Sequence, residues 1–194
     1  MTMNPQAAHY TLCGIETLSL RMDRHVDNAE KIAKWLEEDS RVEFVSYAGL
    51  KSSPYYERVK HICPRGAGGL FTFGVKGGYE ACIKLVDSLE IFSHVANLGD
   101  ARSLIIHSAS TTHRQLTREQ QEAAGAAPDT VRVSIGIESV EDLIGGSGDF
   151  ALQNNSSALP CAATYTRRWP SKTFIALALH FDTTIYSNLL IYSP

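Results

Sequence analysis

The chain has few cysteines, and none of them are close together. Cys13, Cys63, Cys82 and Cys161 never form a C-x-x-C pair. A disulfide framework or a ribbon-type zinc site needs tighter spacing, so the four read as reduced thiols of a cytoplasmic protein. An excess of positive charge is also missing. Eighteen Lys and Arg stand against 21 Asp and Glu, a formal net charge of −3, which argues against a nucleic-acid partner, because phosphate neutralisation needs clustered cations. The opening MTMNPQAAHY lacks the basic and apolar regions of a signal peptide. A membrane helix needs about 20 nearly uninterrupted apolar residues; the nearest approach, 173–192, is broken by His180 and Asp182, so no membrane partner is expected. There is no Gly-x-Ser-x-Gly elbow for a serine hydrolase. Gly66-Ala67-Gly68-Gly69 has no Lys-Ser/Thr behind it and reads as a turn before a strand, not as a phosphate loop.

A hydrophobic fraction of 44% in 194 residues remains, enough for the core of one domain with an appendage. Asn4-Pro5 is a helix start, a capping residue followed by proline at the first helical position. Behind it Ala8, Leu12, Ile15, Leu18, Met22, Val26, Ala29, Ile32 and Leu36 recur at steps of three and four, one apolar stripe on one long helix. Gly14 interrupts that helix at a cost of about 1 kcal/mol relative to Ala, which marks it for a bend or a close contact. Arg21, Asp23, Arg24, Asp27, Glu30, Lys31, Lys34, Glu37 and Glu38 form the solvated face, with Glu30 and Lys34 in the favourable order for an ion pair.

Strand patterns follow at 42–47, 70–75, 93–96, 103–107 and 130–135. Short helices are expected at 55–61, 79–89 and 117–124, the last opened by the capping-box pair Thr117 and Gln120. Ser139 and Asp142 begin one more helix that the chain does not complete. Strands alternating with helices over short links make an α/β (α+β) fold. It is a small, mainly antiparallel sheet packed with helices and preceded by the long N-terminal helix.

After residue 145 the character changes. Gly145-Gly146-Ser147-Gly148 opens a stretch with only five charged residues and no Glu. One domain over 1–145 and a tail of different character over 146–194 are therefore expected. The tail is either a hairpin added to a sheet edge or sequence from a shifted reading frame or a junction. The second reading is preferred, because the Ser139 helix is cut in mid-turn.

Four segments carry a resemblance: Gly14-Ile15-Glu16-Thr17-Leu18-Ser19-Leu20-Arg21-Met22, Asn97-Leu98-Gly99-Asp100, Ile106-His107-Ser108-Ala109-Ser110-Thr111-Thr112-His113, and Val131-Arg132-Val133-Ser134-Ile135-Gly136-Ile137-Glu138. In this order they resemble the C-terminal, small domain of the Cys/Met-metabolism enzymes of fold type I, which depend on pyridoxal phosphate, and the O-acetylhomoserine sulfhydrylases among them. The resemblance covers about three-quarters of the chain. It implies that Arg132 clamps the substrate α-carboxylate, which suits a planar guanidinium offering two parallel charge-assisted bonds. It also implies that the Asn97-Leu98 loop lines the substrate site through backbone atoms. The cofactor's lysine, phosphate loop, stacking aromatic and ring-nitrogen aspartate belong, in the family, to the other domain. The expectation is therefore that no pyridoxal phosphate binds and the parental reaction does not run, since the cofactor carries the carbanion chemistry. Ser40, Ser108 and Arg118 stand where the family pattern has proline, each loosening a turn or helix start.

A second class of function stays open from the residues themselves. His9 and Cys13 at i,i+4 have the spacing of a metal chelate, though also of ordinary packing. His107 and His113 bracket Ser108–Thr112, with Asp100 nearby in sequence, and are also ordinary family positions. A zinc ion on three such ligands lowers the pKa of bound water to about 7 and makes a hydrolase of activated esters or phosphoesters. In either class the stripe of the N-terminal helix needs a partner, and a homo-oligomer is expected.

Overall fold

A computed structural model of the chain describes residues 2–145; the expectations for 146–194 lie outside the described residues. The N-terminal helix starts as read, with Asn4 Oδ1 accepting the Ala7 N–H at 2.7 Å and Pro5 in the first turn. It is two helices, however: α1 (Pro5–Glu16) and α2 (Leu18–Glu38). The break is at Thr17, not at Gly14, where a β-carbon would meet nothing within 4 Å. Arg21 accounts for the placement. Its guanidinium reaches back across the break to the Gly14 carbonyl at 2.6 Å and the Thr17 hydroxyl at 3.4 Å. It thereby satisfies a carbonyl that the end of α1 orphans.

The apolar stripe is buried only in its second half. Ala29, Ile32 and Leu36 are in the core together with Ala33, whereas α1 buries no residue and Leu12, Ile15, Leu18 and Met22 are exposed. Two polar residues that the stripe passes over, His25 and Asn28, are buried instead.

β1 (Val42–Ser46) leads through α3 (Tyr56–Ile62) to β2 (Leu70–Val75). Positive φ at Gly66 and Gly68 turns the chain into β2. Next come α4 (Gly78–Ser88), the two-residue β3 (Ser93–His94), β4 (Leu104–His107) and a 3-10 turn at Ser108–Ser110. α5 (Arg118–Ala123) follows with both arms of the Thr117/Gln120 capping box formed, then β5 (Val131–Ser134). Helical structure resumes at 140–145.

The sheet order is β1-β2-β5-β4-β3. Three pairings are antiparallel and only β3 beside β4 is parallel, as the mainly antiparallel reading requires. Alternation sends Phe71, Phe73, Val75, Ile105, Val131 and Val133 to one face. There they pack with Ala29, Ile32 and Leu36 of α2 and with Cys82, Leu85 and Val86 of α4. Burying each of the larger side chains contributes roughly 1.5–3 kcal/mol. Register places Thr72, Arg132 and Ile106 side by side on the opposite face, with Leu70, Ser134 and Leu104 one step along. Among the described residues no helix is long and apolar enough to cross a membrane.

Candidate carboxylate-binding site

Arg132 is in the middle strand of the sheet, between Thr72 of β2 and Ile106 of β4. It is half-buried, so its stem is fixed by neighbouring strands while its head reaches the surface. Nη2 donates to the Asn97 carbonyl at 3.1 Å. Two residues on, the Ser134 hydroxyl accepts the Gly99 N–H at 3.2 Å. Gly99 has φ 72°, a left-handed conformation that lets the loop after β3 fold back along β5. Thus Arg132 and Asn97, named from the sequence, are brought together, and it is the main chain of Asn97 that makes the contact. The Asn97 side chain is spent locally, accepting the Leu98 N–H at 2.9 Å. Among the described residues no carboxylate pairs with Arg132. The remaining guanidinium donors suit a planar anion.

The loop is tied further along by residues the sequence reading missed. Ala101 O accepts the Ile137 N–H at 2.9 Å. The Glu138 carboxylate accepts both the Ser103 N–H at 2.6 Å and the Ser103 hydroxyl at 2.9 Å. The Ser103 oxygen accepts the Gly136 N–H at 2.8 Å. From below, His25 Nδ1 donates to the Ile135 carbonyl at 2.6 Å, and Asn28 Nδ2 donates to Gly136 O and Glu138 O at 3.0 and 2.8 Å. His25 Nε2 and Asn28 Oδ1 are buried without a partner among the described residues. No apolar periodicity signals such contacts.

The metal-ligand candidates do not converge. His9 and Cys13 lie on exposed α1, Sγ 3.7 Å from Nε2, but among the described residues no group of three His, Cys, Asp or Glu is placed to hold an ion. His107 is elsewhere and fully engaged. Its Nε2 donates to the Pro128 carbonyl, its Nδ1 meets Ser110 Oγ, both at 2.9 Å, and the Tyr79 ring stands edge-on. A metal needs a bare ring nitrogen, and His107 offers none. His113 Nδ1 is bonded to Thr112 Oγ1 at 2.8 Å. Two clefts of about 230 and 530 Å³ open beside Cys63 and beside Tyr79; neither is lined by Arg132. The zinc-hydrolase reading has no support in this geometry.

The chain matches the family model for Cys/Met metabolism PLP-dependent enzymes over residues 1–150. It belongs to that family. Within the Cys/Met-metabolism enzymes it is 48% identical over 141 residues to O-acetyl-L-homoserine sulfhydrylase 1 of Thermus thermophilus, a match covering 73% of this chain and 34% of that protein. It is 46% identical over 148 residues to homocysteine synthase of Schizosaccharomyces pombe, covering 76% and 34%. A solved structure, the putative O-acetylhomoserine (thiol)-lyase of Campylobacter jejuni with N'-pyridoxyl-lysine-5'-monophosphate, superposes with a TM-score of 0.72 at 40% identity, over 77% of this chain and 35% of that one. The chain spans about a third of the length of the curated relatives it matches.

Pyridoxal phosphate is the cofactor that the family description names. The described residues do not fit its covalent attachment. A Schiff-base lysine must lose its proton, which requires desolvation or a neighbouring cation. The lysines at 31, 34, 51, 60, 76 and 84 are all exposed, and Lys31 and Lys34 are paired with Asp27 and Glu30.

Proposed function

We propose that residues 1–145 are the carboxylate-binding small domain of an O-acetylhomoserine sulfhydrylase-like enzyme. Arg132 grips the α-carboxylate of an amino-acid substrate, and the Asn97 main chain fixes the direction of the guanidinium. One observation carries this reading. A half-buried arginine, aimed by a backbone carbonyl and unneutralised among the described residues, holds planar donors ready for an anion.

On the same reading residues 2–145 do not supply the cofactor lysine of the parental reaction, because every described lysine is solvated. Two measurements test this. Titration with O-acetyl-L-homoserine, followed by side-chain Arg NMR, shifts the Arg132 signal, and Arg132→Lys weakens binding about tenfold, or ~1.4 kcal/mol. Titration with pyridoxal phosphate gives no saturable, one-to-one visible band that borohydride traps at a single lysine of residues 2–145. An unmoved Arg132 signal overturns the first statement; such a band overturns the second.

A further inference from the structure

We propose that Glu138 is a positioning residue for Arg132, acting through the 97–103 loop; this rests on the carboxylate-clamp reading above. The loop runs beside β5 and its continuation, and it is fastened at successive points. Asn97 meets Arg132, Gly99 meets Ser134, Ala101 meets Ile137, and Ser103 meets Gly136 and Glu138. The first two fastenings use a single neutral or singly charged bond each. The last is the strong one, because a carboxylate accepts two donors from one residue, and bonds to an ionised acceptor are roughly twice as strong as neutral ones.

Three features make Glu138 a device for geometry. Among the described residues no Lys or Arg pairs with it, so its carboxylate is committed to Ser103. The Glu138 carbonyl is itself held by Asn28 of α2, so the anchor point is rigid. Gly136 leaves no room for slippage: a β-carbon there would collide with the Glu138 carboxylate and the Ala101 carbonyl. A loop pinned at Ser103 and folded back through Gly99 delivers the Asn97 carbonyl to one place. The direction of the guanidinium follows from where that carbonyl stands, and a shift of about 1 Å is enough to spoil a two-point clamp.

The prediction separates positioning from bulk stability. In the 194-residue chain, Glu138→Gln keeps the size but sets an amide N–H against a donor. O-Acetyl-L-homoserine then binds about tenfold more weakly, and amide exchange at Gly99 accelerates. Ser103→Ala reproduces both effects in smaller measure. Tyr47→Phe, which removes a hydrogen bond to the Gly68 carbonyl, lowers stability and leaves affinity alone. If Glu138→Gln lowers the melting temperature as Tyr47→Phe does but leaves affinity and Gly99 exchange unchanged, the proposal is wrong. If the unmodified chain binds no carboxylate while Glu138→Gln still frees Gly99, positioning of the loop stands and the clamp reading falls.

Discussion

Asn28 on α2 donates to the Gly136 carbonyl, 108 residues further along the chain, at 3.0 Å. The same amide donates to Glu138 O at 2.8 Å, and the residue is fully buried. One side chain thereby satisfies two carbonyls that leave the sheet at the end of β5. Asn28→Ala leaves both without that donor, and a buried polar group deprived of its partner costs about 1–3 kcal/mol. Urea unfolding of Asn28→Ala is expected to lose about 3 kcal/mol relative to the parent chain. A loss below about 1 kcal/mol would show that water reaches these carbonyls.

That contact also marks the limit of what the sequence discloses. Alternation located the strands at 42–47 and 130–135 and short apolar runs the others, because residues such as Phe71, Phe73, Val131 and Val133 must face one way for the sheet to bury them. The Thr117/Gln120 pair announced α5, because a capping box is a local device. Arg132 and Asn97 were legible only through the family segments around them; an isolated arginine in a strand does not name its ligand. His25, Asn28, Ser103 and Glu138 were not legible. Their roles depend on partners more than thirty residues away, and the apolar stripe assigned α2 a face that bypasses His25 and Asn28. The Thr17 break was missed because glycine weakens a helix by propensity, whereas the actual break is stabilised by Arg21 reaching back to Gly14 O.

Thr117→Ala tests the local device alone. The hydroxyl accepts the Gln120 N–H at 3.4 Å while the Gln120 side chain accepts the Thr117 N–H at 3.0 Å. Removing an N-cap hydroxyl costs about 1 kcal/mol. Thr117→Ser should recover most of that loss. Equal stability of parent and Thr117→Ala in thermal unfolding would mean that α5 is held by packing, chiefly through buried Gln121, which donates to Ala109 O and His113 O.

Asp39 and Arg41 give a pH dependence of known sign. The Arg41 guanidinium, hydrogen-bonded to the Asp39 carboxylate, holds that group below its ordinary 3.8. A carboxylate lowered in the folded state binds protons more readily when unfolded, so the pair contributes its full stability above about pH 4 and loses it as pH falls through the lower folded value. Arg41 is exposed and Asp39 only partly covered, so the effect is small and screened by salt. A carboxyl-carbon NMR titration should find Asp39 titrating below the ordinary range, and Arg41→Gln should return it there. An unchanged midpoint in Arg41→Gln would assign the shift to another cause.

Thiol reactivity should divide the cysteines of residues 2–145 by burial. Cys13 and Cys63 are exposed, whereas Cys82 is buried in the core. Burial also pushes the Cys82 thiol above its ordinary pKa, and its Sγ–H donates to the Asp129 carbonyl at 3.4 Å. The thiolate is the reacting species. Brief alkylation of the folded chain, read by peptide mass spectrometry, should label Cys13 and Cys63 and leave Cys82 unmodified until urea is added. Early labelling of Cys82 would show that α4 opens from the sheet on the time scale of the reaction.

Self-association is the expected fate of α1. The helix buries nothing, and Tyr10, Leu12 and Ile15 remain exposed along it. An apolar stripe left in water favours a second apolar surface, worth about 25 cal/mol for each Å² covered. We propose a second copy of the chain as that surface, with α1 laid against α1. Size-exclusion chromatography with light scattering should then give a mass above the 21.3 kDa of one chain. Leu12→Glu combined with Ile15→Glu should return the mass to 21.3 kDa without unfolding the sheet, since neither residue touches its core. A parent chain that is already monomeric would refute the α1 pairing, and a double variant that stays associated would place the contact elsewhere.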